Sequence, residues 1–473
     1  MTNRQPPQNR SRPRRKSAVT PSWHETSTAR LHRPGRAPQP YLVHFLKLIA
    51  GVGLGLVIAL GLSVEGRAAL ASPGGWPLAI GRLSAFAGSY LLLVMVVLTA
   101  RLPWIERSVG QDQLVRWHRK VAPWATSLTS LHVLAAILGY AQMLHNSILS
   151  QAWIFVLHYP DMLAAYVGWI LLLVAAFSSI RIARRKMRYE TWWVVHLYTY
   201  LGLGLAFMHQ IRTGIMFLGH PLSTQMWTWT WIGAGVVTLL WRVAVPVVRN
   251  LRFGLRVADI SEVAPGVRSV TVSGRHLDRL AVNGGQFFQW RFMAKELWWH
   301  SHPYSLSALP RPPFLRVTVK GLGDQSSALK DLKVGTRVFV EGPYGAFTRH
   351  RMTRERVVLI GAGVGITPLR ALLEDLPENR PVSVIIRART AEDVVHGDEM
   401  KLLVGARKGS YHELIGSRYD VSLDAATLTS LAHGLADSDV FICGPEGFTE
   451  SVVASLQEAG VPHSRIHFES FTF

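Results

Sequence analysis

The sequence predicts a multi-domain membrane protein: a six-helix transmembrane bundle, then an antiparallel β-barrel, then an α/β domain with a parallel sheet. Three shifts of pattern along its 473 residues carry this expectation. Six apolar runs, at about 42–63, 78–100, 119–140, 161–180, 192–211 and 227–248, each approach the ~20 residues a helix needs to cross the hydrocarbon of a bilayer. From about Arg249 the runs become short and alternating, as in Ser269-Val270-Thr271-Val272 and Leu315-Arg316-Val317-Thr318-Val319, with Gly and Pro between them; this is the period of half-buried strands. From Arg356 the order becomes strand, Gly-rich turn, helix, strand. The expected limits are 1–40 for a basic tail, 41–248 for the bundle, 249–350 for the barrel and 351–473 for the α/β domain.

Composition fits this order. Hydrophobic residues make up 49% of the chain, yet 51 Lys and Arg face 30 Asp and Glu, a net charge of +21. The first 40 residues alone contribute +8, through nine Lys or Arg and the single acid Glu25. Rich in Arg, Pro, Gln and Ser, that stretch cannot bury a core. It is expected to be a disordered cytoplasmic tail that can touch anionic lipid. Arg14-Arg15 does not read as a twin-arginine signal, because the next apolar stretch begins only at Tyr41. The basic excess therefore implies a membrane partner, the lipid bilayer, and no nucleic acid. A single cysteine, Cys443, excludes an intramolecular disulfide and any cysteine-based zinc or iron–sulfur site. No acidic calcium loop stands in the N-terminal stretch.

The loops orient the bundle. Arg101, Arg107, Arg116, Arg119 and Lys120 lie between the second and third runs, and Arg181, Arg184, Arg185, Lys186 and Arg188 between the fourth and fifth. The remaining loops hold little more than Arg67 and Arg212. The positive-inside rule then places both termini in the cytoplasm of a multi-pass protein of the cell membrane.

Four histidines stand out in the apolar half. His118 and His132 are 14 residues apart, and His196 and His209 are 13 apart. An ionisable side chain inside a membrane helix is costly and marks a functional site by default. Each pair spans roughly 20 Å along its helix, inside a hydrocarbon core of ~30 Å. With the third and fifth spans side by side, His118 faces His196 near the cytoplasmic side, and His132 faces His209 near the outer side. Two imidazoles facing each other across a bundle can hold a haem iron axially. Four unrelated polar histidines are the alternative, and the matched pairing favours metal ligation. A spacing of 14 returns nearly to one helix face. A spacing of 13 leaves the second ring roughly 140° away, which tilt or distortion must absorb.

In the soluble half, Gly361-Ala362-Gly363-Val364-Gly365-Ile366-Thr367-Pro368 follows a strand at 357–360. Such a turn lets the backbone approach a pyrophosphate at a helix N-terminus, or is simply a tight turn. Further strands are expected at 382–386 and 440–443, and at 410–414 and 466–468. Cys443-Gly444-Pro445 ends one of them, where ligands of parallel sheets sit. Upstream, His302-Pro303-Tyr304-Ser305 offers a ring to stack on a flavin and a hydroxyl for a ring nitrogen. Gly323-Asp324-Gln325-Ser326-Ser327 offers small hydroxyl residues to a phosphate. Arg387 and Arg389 follow the strand at 382–386 with no acid at its end, which favours the 2′-phosphate of NADPH over NADH.

The ordered run of His-Pro-Tyr-Ser, Gly-Pro-Tyr-Gly, Gly-x-Gly-x-Gly-Ile-Thr-Pro and Cys-Gly-Pro resembles the flavin and nicotinamide modules of the ferredoxin-reductase superfamily. The membrane half resembles the ferric reductase transmembrane family, which includes NADPH oxidases and yeast ferric reductases. Arg101-Leu102-Pro103, Glu106-Arg107 and His118-Arg119 resemble its bacterial members. Together the resemblance covers about 42–473. It implies that Tyr304 and Ser305 contact an isoalloxazine, and that Thr367, Cys443, Gly444 and Pro445 line the nicotinamide site. His302 stands where many soluble relatives carry Arg, leaving Arg291 or Lys320 as candidates for the flavin pyrophosphate. Phe473 is placed like the terminal aromatic that covers the flavin in relatives, or packs with Phe468 and Phe471.

The expected function is transmembrane electron transfer from cytoplasmic NADPH (or NADH) through FAD and two haem b groups to an acceptor outside. With both axial positions filled by His, that acceptor is reduced by outer-sphere transfer, and Arg212 and His220 are nearby polar candidates. A ferric chelate makes the chain a ferric reductase, oxygen a superoxide-producing oxidase, and a partner protein an electron-supply subunit. A membrane-anchored flavin sensor without turnover is the non-enzymatic alternative. The oligomeric state is open.

Overall fold

The computed structural model describes residues 23, 33–35, 37 and 39–471, apart from 296, 322–327 and 418. The expected disordered tail therefore lies largely outside the described residues, as do Ser326, Ser327 and Phe473. The chain divides into two compact units: Arg36–Leu251 with Tyr344–Ala346, and Met1–Gly35 with Arg252–Pro343 and Phe347–Phe473.

The first unit is helical. Its elements are α1 (Pro40–Ser63), α2 (Arg67–Ala71), α3 (Gly75–Thr99), α4 (Pro103–Val109), α5 (Gln111–Met143), α6 (Ile148–His158), α7 (Met162–Ser178), α8 (Arg181–Lys186), α9 (Tyr189–Thr213) and α10 (Pro221–Leu239). A π-helical turn, Leu240–Ala244, joins α10 to α11 (Val245–Phe253). Prolines at the first turns of α1, α4 and α10 start helices where the missing N–H costs nothing.

Four of these helices are long and apolar enough to cross a membrane: Tyr41–Ser63, Gly75–Thr99, Gln113–Met143 and Pro221–Phe253. The pair α6–α7 qualifies only as one broken span bent by 115°. The sequence led to six spans; four stand alone and the bent pair makes five among the described residues. The helix that falls short is α9. It has 25 residues, but two histidines and the run of Trp192, Trp193, Tyr198, Thr199 and Tyr200 dilute its apolar character.

Leu48, Val52 and Leu56 of α1, Trp153 of α6 and Phe177 of α7 all lie exposed. Apolar side chains outward on helices that satisfy their own backbone hydrogen bonds suit lipid. Close packing inside depends on glycine. A Cβ on Gly168 of α7 would come within 2.5 Å of the Gly202 carbonyl oxygen of α9. Trp169 Nε1 donates to Ser130 Oγ at 3.1 Å, tying α7 to α5.

The second unit has a β lobe and an α/β lobe. The β lobe contains β1 (Arg256–Ala264), β2 (Val267–Ser273), β3 (Phe287–Phe292), β4 (His302–Ser305), β5 (Phe314–Lys320) and β6 (Val338–Tyr344). They form two three-stranded sheets, β1-β2-β5 and β4-β3-β6. Single bridges, Leu306 with Val317 and Arg256 with Arg337, link them. Val270, Val272, Phe288, Trp290, Leu315 and Val317 fill the interior.

The α/β lobe contains β7 (Val357–Ala362), β8 (Val382–Ala388), β9 (Ser410–Ile415), β10 (Asp439–Pro445) and β11 (Ile466–Phe471). The sheet is parallel in the order β11-β10-β7-β8-β9. Its helices are α12 (Ile366–Asp375), α13 (Gly397–Gly405), α14 (Ala425–Leu431) and α15 (Glu446–Glu458). Leu359, Val384 and Phe441 face one apolar layer; Ile360, Ile385 and Ile442 face the other. The chain runs outward from β7 to β9, then returns to pair β10 with the other edge of β7. That reversal creates a switch point at the carboxyl ends of β7 and β10, the position at which open α/β sheets bind ligands.

Candidate functional site

In the helical unit, α5 carries His118 and His132, and α9 carries His196 and His209. The expected pairs form. The ring centres of His118 and His196 are 6.2 Å apart, and those of His132 and His209 are 6.4 Å apart. A metal bound between two imidazoles has nitrogen bonds of about 2.0–2.1 Å, which puts the ring centres roughly 6.4 Å apart. Both pairs fit that span. The 13-residue spacing is accommodated without a break in α9. The rings meet their partners at different tilts, 61° for the pair with His196 and 24° for the pair with His209.

Two of the rings are held from behind. His132 Nδ1 lies 2.9 Å from the Gly81 carbonyl oxygen of α3. A carbonyl only accepts, so Nδ1 carries the proton and the Nε2 lone pair remains for a metal. His196 stacks on Trp192 at 5.1 Å and has Ser179 Oγ 3.5 Å from Nδ1. Ser179 donates to the Ala175 carbonyl at 2.7 Å and accepts from Trp192 Nε1 at 3.0 Å, so towards His196 it too acts as an acceptor. Gly81, Ser179 and Trp192 carry no mark in the sequence, because their roles depend on neighbouring helices. Among the described residues no group of three or more His, Cys, Asp or Glu could hold a metal ion; a haem asks for only two axial side chains. The outer-face candidates differ from each other: Arg212 pairs with Asp161 at 3.2 Å, while His220 is exposed.

In the β lobe, His302 and Tyr304 share one face of β4 and stack at 5.6 Å and 15°. Trp290 Nε1 donates to the Tyr304 carbonyl at 2.9 Å, fixing the strand over the core. Burial, then the neighbouring His300, pushes His302 down to about 4, so at neutral pH its ring is uncharged. It does not replace an arginine electrostatically. Ser305 is buried beside this face and Pro303 is exposed; Arg291 and Lys320, each half-buried, remain as cations of the lobe.

At the switch point, Gly361 ends the buried part of β7 and Gly363 takes a φ of +56°, which favours glycine. Gly365 is set against β10: a Cβ there would lie 2.1 Å from the Cys443 carbonyl oxygen and 2.8 Å from the Gly444 nitrogen. The Gly-rich turn and Cys443-Gly444 are therefore packed directly against each other. Burial pushes the Cys443 thiol up, which keeps it protonated. Thr367 and Pro368 are buried at the start of α12, and the Thr367 hydroxyl donates to the Val364 carbonyl at 2.8 Å. Arg387 is tied to the Leu414 carbonyl at 3.0 Å, whereas Arg389 is exposed at the end of β8.

A buried ionic seam, unforeseen from the sequence, joins the two lobes. Glu399 of α13 receives Arg316 Nη1 and Nη2 of β5 at 2.7 Å each and Arg370 Nε of α12 at 2.7 Å, and His396 Nδ1 lies 3.2 Å from it. Glu374 of α12 accepts from the Leu309 amide at 2.8 Å, from Arg311 at 3.0 Å and from Arg370. Burial alone would raise Glu399. Hydrogen bonds from His396 and Arg316 and the charges of Arg316 and Arg370 overcome it and hold the carboxyl well below the usual range. Burial drives His396 down to about 4, against the opposing hydrogen bond to Glu399. Arg316 within an alternating strand, and Arg370 four residues before Glu374, were the available sequence signals.

Comparison with known proteins agrees with this division. Residues 84–207 match the model of the ferric reductase like transmembrane component, 253–348 an FAD-binding domain and 359–454 the oxidoreductase NAD-binding domain. These define a membrane-bound flavoprotein oxidoreductase. Together the three matches are to the ferric reductase-like and NADPH oxidase family with ferredoxin-reductase-type FAD and NAD domains. A flavohemoprotein of Vibrio cholerae is 34% identical over 182 residues, covering 36% of this chain and 45% of the relative. The reductase component of propane 2-monooxygenase from a Gordonia species is 28% identical over 236 residues, covering 46% of this chain and 67% of the relative. The chain thus spans about half the length of the flavohemoproteins it matches. Among solved structures, the flavohem-like FAD/NAD binding domain of nitric oxide dioxygenase from Vibrio cholerae covers 46% of this chain and 99% of its own length, at 24% identity and a TM-score of 0.38.

Proposed function

We propose that the chain carries electrons from cytoplasmic NAD(P)H, through FAD and two b-type haems, to a small-molecule acceptor on the outer face, in the manner of a ferric reductase. The observation that supports this most is the pairing of the four histidines at 6.2 and 6.4 Å, the span of a bis-imidazole metal. In this reading the six spans are α1, α3, α5, the bent α6–α7 pair, α9 and α10–α11. The two small sheets make up a barrel, and both termini are cytoplasmic in the cell membrane.

When bound, FAD supplies the exchange between a hydride pair and single electrons, and the haems supply one-electron centres. The chain's residues do the rest. His118 and His196 would hold the inner group, and His132 and His209 the outer one. Gly81 and Ser179 set the ring protons away from the metal side. The lipid-facing side chains keep water out. Tyr304 gives the isoalloxazine a stacking face, and Ser305 a hydroxyl. The amides at the start of α12 would receive a pyrophosphate, and glycine at 365 lets the turn pack against the Cys443-Gly444 peptide. Arg389 is free to meet a 2′-phosphate, which favours NADPH.

Purified protein is expected to show a low-spin b-type spectrum with about two haems per chain. His132→Ala should lose one haem and leave NADPH-driven flavin reduction intact. A wild-type protein without a Soret band after haem-supplemented expression would sink the assignment. Ferrous-chelate formation under argon, insensitive to superoxide dismutase, is the expected acceptor result; dismutase-sensitive reduction of cytochrome c in its place overturns the ferric reductase reading.

A further inference from the structure

The lobe seam holds three guanidiniums, Arg311, Arg316 and Arg370, against two carboxylates, Glu374 and Glu399. The place is nearly dry, with Arg316 and Arg370 3% and 1% exposed. Trp23, from the N-terminal stretch, packs on this cluster. The Arg316 guanidinium lies 4.8 Å from the centre of its ring and that of Arg311 5.3 Å. Arg370 Nη2 donates to the Trp23 carbonyl oxygen at 3.1 Å. An electron-rich ring face and a carbonyl both suit guanidinium groups where water is excluded.

The same stretch is anchored a second time. Residues 33–35 run beside Val282: the Val282 amide donates to the Arg33 carbonyl at 3.1 Å, and the Gly35 amide donates to Asn283 Oδ1 at 2.9 Å. The adjoining Gly284 amide donates to Asp375 Oδ2 at 3.1 Å, and a Cβ on Gly284 would lie 2.2 Å from the Ala371 carbonyl oxygen. Both anchors thus bear on α12. Trp23 meets its middle at Arg370, and 33–35 grips the β-lobe loop that packs against its C-terminal end. The N-terminal end of α12 is the Gly363–Gly365 turn, set against Cys443-Gly444.

We propose that Trp23 is a positioning residue: the N-terminal stretch straps α12 to the β lobe and thereby sets the distance between the flavin face and the nicotinamide site. Its effect on turnover rests on the flavin and nicotinamide assignment above; the strap itself does not. The contact is made by a side chain from the stretch that composition marks as a basic tail, so the tail has a function within the chain as well as any with lipid. The ring, not the indole nitrogen, carries the interaction, so Trp23→Phe preserves it and Trp23→Ala removes it.

The test uses the full-length protein in detergent micelles, with flavin bound. Backbone hydrogen exchange, read by mass spectrometry over 307–318, 366–375 and 396–399, is expected to rise about tenfold in Trp23→Ala and to stay at the wild-type level in Trp23→Phe. The rate of flavin reduction by subsaturating NADPH is expected to fall about tenfold in Trp23→Ala and to be restored by phenylalanine. Unchanged exchange in Trp23→Ala overturns the strap. Raised exchange with unchanged reduction overturns the positioning role. Phenylalanine failing to restore the wild-type values overturns the assignment to the ring. A wild-type protein that binds no flavin refutes the electron-transfer reading, while hydrogen exchange still decides the strap.

Discussion

Replacing Glu399 by Gln tests the buried seam most directly. The carboxylate accepts two bonds of 2.7 Å from Arg316 and one of 2.7 Å from Arg370, at 5% exposure. The amide keeps the shape and loses the charge, so Arg316 and Arg370 lose the carboxylate they share. Breaking a buried pair by removing one partner costs about 3–5 kcal/mol, because the other ion stays stranded. For a unit of this size each kcal/mol moves the melting temperature by about 2–4 °C, so a fall of roughly 10 °C is expected. The assay is flavin release on heating, followed by fluorescence in the full-length protein. The Soret band serves as an internal control, since the helical unit lacks this residue. Adding Arg316→Met to Glu399→Gln should recover part of the loss by removing one stranded cation. A melting temperature within about 2 °C of wild type in Glu399→Gln would show that the seam adds nothing net, and the reasoning fails.

Lowering the pH should weaken the same seam. His396 has a folded pKa of about 4 against an ordinary 6.5, so the unfolded chain takes up its proton first as pH falls. Its contribution is full above 6.5 and is lost between 6.5 and 4, by roughly 3 kcal/mol, and Glu399 adds a further loss below its ordinary carboxylate range. Flavin-release melting at pH 7.5 and 5.0 measures it, and His396→Gln should flatten the slope between those values. Gly365→Ala drives a methyl to within 2.1 Å of the Cys443 carbonyl oxygen. Overpacking of this kind costs about 1–3 kcal/mol, so the NADPH concentration for half-maximal flavin reduction should rise roughly tenfold; an unchanged value refutes the shared site of the Gly-rich turn and β10.

Much of the fold was legible because period and composition are local properties. Short alternating runs such as Ser269-Val270-Thr271-Val272 are strands, and the β-to-α switch near Gly361–Pro368 is a strand, a tight turn and a helix. The span count was less legible at α9, where the residues that make the helix interesting are those that lower its apolarity. The four histidines could be singled out one helix at a time, since each carries a cost in lipid that is visible in sequence alone.

What the sequence determined by itself is the list of chemically capable groups and the order of the segments that carry them: four histidines, a Tyr-Ser face, a Gly-rich turn, a cysteine before Gly-Pro. Only the tertiary structure decided which of them meet. Ring separations of 6.2 and 6.4 Å depend on how α5 and α9 are held by α3 and α7. The approach of Gly365 to Cys443 depends on β10 returning beside β7. The joining of Trp23, Arg311, Arg316, Arg370, Glu374 and Glu399 spans 376 positions of chain, from 23 to 399. Burial and pairing are properties of distance in space, and no local pattern in a chain encodes a partner hundreds of residues away.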